Sequence, residues 1–143
     1  MDIAELLVDA FGRIRETTHG TVDGASRSVL TYRPDPDANT IAWLVWHLAR
    51  IQDDHVADVA GTDQGWIADG WSERFGLPFA QGATGYGQSS EEVGQVDADG
   101  ALLLGYFDAV HATTIRYVSG LVAEDLDRIV DERGIRRFRS ACA

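Results

Sequence analysis

Asn39–Gly61, NTIAWLVWHLARIQDDHVADVAG, has the plainest helical pattern in the chain. Asn39 or Thr40 can cap a helix here and Gly61 can stop one, so the spacing predicts a single long helix between them. At about 100° per residue, Leu44, Leu48, Ile51 and His55 fall on one stripe, with Ile41 and Val59 beside it, and this stripe is expected to face the core. His47 lies on its flank, and Asp54 follows one heptad later. A helix that turns imidazoles towards its own core either builds a metal or acid–base site or satisfies those rings in some other way.

Working outward, helical spacing recurs on both sides. Asp2 can cap a first helix in which Ile3, Leu6, Leu7, Ala10, Phe11 and Ile14 repeat, running to about Thr18 or past Gly20. The segment TYRPDPDANT is a connection, because its prolines and its Asp and Asn residues favour turns. From Thr62 to Gln88 the chain is rich in Gly and aromatics, which predicts a long packed crossover with one short helix near Gly70–Phe75. Ser89 and Glu92 have capping-box spacing. A third long helix is expected from about Asp99 to Ser119, with Leu104, Phe107 or Asp108, His111, Ile115 and Val118 down one side. VAEDLDRIVDE reads as a short acidic helix or turn. No strand pattern competes. The fold class is all-α, a bundle of long antiparallel helices with one long crossover. Three such helices leave an apolar groove open, and a fourth is wanted.

Composition bounds the function. The chain of 143 residues is of single-domain size and is 45% hydrophobic, enough for a core. Its cations are all arginine, which points to GC-rich coding. A net charge of −11 argues against nucleic acid or an anionic membrane as partner. No apolar run approaches the roughly 18 residues of a membrane span. The N-terminus is acidic from Asp2 and lacks the basic region of a signal peptide, so a cytoplasmic protein is expected. The single cysteine, Cys142, excludes an intramolecular disulfide and is a poor candidate for a catalytic thiol. There is no phosphate-loop lysine, no nucleophile-elbow serine and no paired metal-binding cysteines.

Several pieces together resemble the DinB-like superfamily of four-helix bundles: YRPDPDANTIAWLVWHLARIQDDHVA, the WSERFGLPF and TGYG loops, and LLLGYFDAVHATTIRYV. The similarity spans nearly all of residues 1–133. It implies a divalent metal, often zinc or nickel, held inside the bundle by a His on the second helix and two ligands on the fourth. It also implies, for some members, thiol S-transfer or isomerisation with a low-molecular-weight thiol such as mycothiol, bacillithiol or glutathione. His47 matches the second-helix ligand, and the fourth-helix pair has no match. Where relatives continue with a Trp-Asp-Pro-Pro-like segment, this chain reads GIRRFRSACA. Codons for Gly134–Ala143 exist that read Trp-Asp-Pro-Pro-Val-Pro-Leu-Gly-Val-Arg when shifted by one base. The expectation is therefore a domain over residues 1–133 and an out-of-frame tail over 134–143, which the gene's nucleotides past codon 133 decide.

The candidate site residues follow. His47 is either the first ligand of a metal site or a half-buried ring bonded to Asp54 or to a backbone carbonyl. His55 and His111 are expected to share its interior as core or substrate-contacting residues, or to fill a vacant ligand position. Asp53 and Asp54 either support a metal-bound His from behind or form a solvated acidic face, and Asp54 is also a candidate additional ligand to a metal at His47. The four tryptophans read as core and loop anchors, with Trp43 a candidate substrate contact. His19, near a helix end, is expected to be solvated. Two function classes remain: a metal-dependent thiol S-transferase acting on a small molecule, expected to be impaired here by loss of the fourth-helix ligands, and a non-catalytic bundle that binds or oligomerises. The open groove predicts a homodimer in either case.

Overall fold

The computed structural model describes residues 1–130, and the tail expected at 134–143, with Cys142, lies outside them. The described chain is helical throughout, without a strand. Three helices are long: α1 (Ile3–Val22), α3 (Ile41–Ala60) and α7 (Gly100–Val118). Between them lie four short ones, α2 (Arg27–Leu30), α4 (Gly65–Ala68), α5 (Trp71–Phe75) and α6 (Ser90–Gly94), and a 3-10 turn follows at Ala123–Asp127. None is long and apolar enough to cross a membrane.

The ends are set by side-chain caps where the sequence places them. Asp2 and Glu5 form a reciprocal capping box on α1, and Ser89 and Glu92 form another on α6. Thr40 rather than Asn39 caps α3, accepting from Trp43 N at 3.0 Å, and Asp99 caps α7 through Leu102 N at 2.8 Å. Gly61 ends α3 in the left-handed conformation, φ 69°, which only glycine adopts without strain.

Helix α7 is the shared neighbour, packed against both α3 and α1. Val22 of α1 meets Gly100, whereas Arg15 and His19 reach Asp108, so α1 and α7 run antiparallel. Helices α3 and α7 run in the same direction, since Asp53 meets Tyr106 and Val59 meets Tyr117. The crossover is long because it returns the chain to the end where α3 began. It descends along α3, with Gly65 at Asp53, Ala83 at Arg50, Thr84 at His47 and Gln88 at Trp43. It also contains more helix than the single turn expected near Gly70–Phe75.

The inward face of α3 differs from the expected stripe. Ala42, Trp46, Ala49, Asp53 and Ala57 are buried, while Leu44 is 48% exposed and Leu48 and Ile51 are only partly covered. The first half of α3 is apolar almost all round, so periodicity does not choose a face. The choice falls to packing: Gln52 and Asp53 bond Thr114 and Tyr106 of α7, and Trp46 receives the aromatics of the crossover. The other apolar side of α3 remains a surface, and on α1 Leu6 and Ile14 are also exposed.

Candidate functional site

His47 is placed by two elements. Helix α3 presents its ring, which stacks on Trp43 one turn earlier with centroids 4.6 Å apart. Trp43 is in turn anchored by its indole N–H, which donates to Gln88 Oε1 at 2.7 Å. The crossover supplies the second constraint, for His47 Nδ1 is hydrogen-bonded to the backbone carbonyl of Thr84. A carbonyl only accepts, so Nδ1 carries a proton, and in the neutral ring it is Nε2 that has the lone pair. Nε2 makes no hydrogen bond among the described residues. This tautomer is the one a metal-ligating or proton-accepting imidazole needs, with the far nitrogen held by a carbonyl.

Gly85 makes that contact feasible. Its φ is 95°, and a Cβ at this position would stand 2.6 Å from His47 Nδ1. The TGYG motif is thus a backbone requirement: one residue offers its carbonyl, and the next must have no side chain.

Beneath this loop lies a buried polar network that joins the crossover to the bundle. Asp53 accepts from Gly65 N (3.0 Å), Trp66 N (2.8 Å) and Tyr106 Oη (2.9 Å). Arg50, fully buried, donates to Ala83 O (3.0 Å) and Gln64 Oε1 (2.9 Å) and lies over the Trp66 ring. Its charge faces Asp53 at 3.8 Å. Gln64 passes the chain of bonds on to Asp54 Oδ1 at 2.6 Å. Burial, reinforced by the Asp53 charge, pushes the Tyr106 hydroxyl far above its usual range, so it stays a donor. Asp53 is therefore a buried staple rather than an acidic surface, and Asp54 serves Gln64 rather than His47.

The expected common interior of His47, His55 and His111 is not formed. The His55 side chain is 70% exposed and its Nδ1 bonds the Ile51 carbonyl of its own helix. It follows Leu44 and Ile51 round the open side of α3, which is why the stripe misplaced it. His111 is half-buried, stacked on Phe107. Burial, then the nearby Arg15 charge, holds its pKa below 6.5. His19 is not free in solvent: Nε2 meets Asp108 at 2.9 Å and Nδ1 meets Asp23 at 3.3 Å. The Asp108 bond foremost raises its pKa.

Among the described residues, no three His, Cys, Asp or Glu side chains converge so as to hold a metal ion. His47 fits the part of one ligand, and one imidazole does not make a site. Residues 1–130 therefore do not fit the metal centre that the family resemblance implies.

The sequence had no means of showing the Thr84 carbonyl. The Arg50–Asp53 pair left a faint signal, two opposite charges three apart inside an apolar helix, which bury only if something satisfies them.

The family model of the DinB superfamily matches residues 10–141. Among solved structures, a conserved protein from Enterococcus faecalis is similar with a TM-score of 0.85 at 26% identity, over 92% of this chain and 78% of that one. Comparison with curated proteins finds no match.

Proposed function

We propose that this chain, which belongs to the DinB superfamily, is related to metal-dependent thiol S-transferases, with His47 in the place of the first ligand of a divalent zinc or nickel ion and the activity impaired by loss of the fourth-helix ligands. Any ion at His47 would have to recruit waters or a neighbouring chain. The reaction class is transfer of a low-molecular-weight thiol to an electrophile, or thiol-assisted isomerisation of a small molecule. The observation that carries this reading is the hydrogen bond from His47 Nδ1 to the Thr84 carbonyl, which leaves Nε2 free to bind. The test is metal uptake by the full, untagged chain, measured by calorimetry with zinc and nickel, beside consumption of mycothiol, bacillithiol or glutathione with an electrophilic dye. Weak uptake, short of one tightly held ion per chain, is expected, and what binds should be lost in His47→Ala and kept in His55→Ala.

A second reading has its own observation. The exposed side of α3, with Leu44 uncovered, and the exposed Leu6 and Ile14 of α1 suit a non-catalytic bundle that binds a second copy of itself. Absence of metal uptake and of thiol loss, together with a dimer in solution, would decide for that module.

A further inference from the structure

One side of α3 combines uncovered apolar surface with negative charge. Leu44 is 48% exposed, and Leu48 and Ile51 are only partly covered. On the last two turns Asp54 and Asp58 flank this stripe, Asp54 with its side chain 42% exposed and Asp58 exposed. No cation on α3 offsets them at the surface, because its one arginine, Arg50, is fully buried.

The end of the described chain comes back to this helix. Arg128 donates to the Val59 carbonyl at 2.7 Å, in the last turn of α3, and Leu126, Ile129 and Val130 beside it are each more than half exposed. Asp131–Ala143 begins three residues after that anchor. Even wound as tightly as an α-helix, a segment of this length reaches about 20 Å, far enough back along α3 to pass Ile51. Its sequence matches the face in two ways. Arg133, Arg136, Arg137 and Arg139 are a third of the chain's arginines, in a chain whose net charge is −11. Ile135, Phe138 and Cys142 recur at the spacing of one helix side. A second copy fits the face less well, since it would bring Asp54 and Asp58 against a body of like charge. Neither the charge nor the spacing depends on the reading frame from which the segment arose.

We propose that Gly134–Ala143 docks on the open side of α3 in its own chain, with Ile135 and Phe138 against Ile51 and Leu48 and the arginines beside Asp54 and Asp58. Apolar burial supplies the affinity, and the charges set where the segment lies. So placed, it keeps a second copy off the same face. The docking uses neither His47 nor a metal, so its fate is separate from that of the thiol-transferase reading.

The single cysteine gives the test its probe: a nitroxide on Cys142 of the full chain, with the methyl signals of Leu44, Leu48 and Ile51 followed by NMR. Paramagnetic broadening of these signals is expected, unchanged on dilution and lost when the nitroxide is reduced. Phe138→Glu should abolish it, and Arg136→Glu with Arg137→Glu should weaken it, while the rest of the spectrum reports an intact fold. An equal mixture of nitroxide-bearing unenriched chain and isotope-enriched chain without nitroxide should show no broadening, because the contact lies within one chain. Broadening in that mixture as strong as in the labelled chain itself would give the face to a second copy and overturn the proposal. So would broadening spread evenly over exposed residues, Leu6, Ile14 and Tyr86 among them, or broadening that survives Phe138→Glu or is undiminished in the arginine variant.

Discussion

Gly85 shows how much of the candidate site rests on a residue without a side chain. Both its positive φ and its contact with the His47 ring exclude a Cβ. Gly85→Ala should lower stability by about 1–3 kcal/mol, the range for a strained backbone position. It should also release the Nδ1–carbonyl bond. Thermal unfolding reads the first effect, and the ¹⁵N shifts of the His47 ring, moving towards a mixture of tautomers, read the second. Unchanged ring shifts would show that the loop does not set the tautomer. A second prediction concerns His19. Its folded pKa lies above 6.5, foremost because of the bond to Asp108, so its stabilising contribution is complete below pH 6.5 and is lost as pH rises through the folded value. His111 has the opposite sign: burial lowers its pKa, and stability is lost as pH falls below 6.5. His19→Gln should therefore cost more at pH 6 than at pH 8.5, by about 0.5 kcal/mol for a partly exposed pair, as measured by urea midpoints. An equal cost at both pH values would remove His19 from the account. His47 was legible as a site residue because of its type and place on α3. Its partner was not, because a carbonyl carries no signature in the amino-acid alphabet.

Helix α3 and the crossover hold each other through Asp53, which caps the start of α4 from a neighbouring element and neutralises Arg50. Asp53→Ala should destabilise by about 3–5 kcal/mol, because it leaves a buried guanidinium without its counter-charge. Replacing both partners, Arg50→Met with Asp53→Leu, should cost less than Asp53→Ala alone, and a denaturation series on the three variants checks the order. If the double variant is the least stable, the pair is worth more than its burial penalty. At this scale the sequence was read well where a single helix end was at stake: Asp2, Thr40, Gly61, Ser89 and Asp99 all act as their types predict. It was read less well where a helix had two apolar sides. Leu44, Leu48, Ile51 and His55 do form a stripe, but Leu44 and His55 are exposed and Leu48 and Ile51 only partly covered, so it is not the side that faces the core.

Across the whole molecule, the open sides of α3 and α1 govern the expected behaviour in solution. If a second copy covers them, sedimentation at micromolar concentration and physiological salt should show a dimer. Leu44→Glu should weaken that dimer at least about tenfold, roughly 1.4 kcal/mol. A monomer that stays monomeric across the concentration range would end the self-binding reading. The helical class, the three long helices and most of their caps were legible in the amino-acid sequence, because these depend on local hydrogen bonding and on composition within one element. The sequence also marked His47. Only the tertiary structure decided which side of α3 is core, that α3 and α7 run in the same direction, and that Thr84 holds His47 while His55 stands in solvent. Those outcomes depend on which surfaces compete for burial, and that competition is settled between elements distant in the chain.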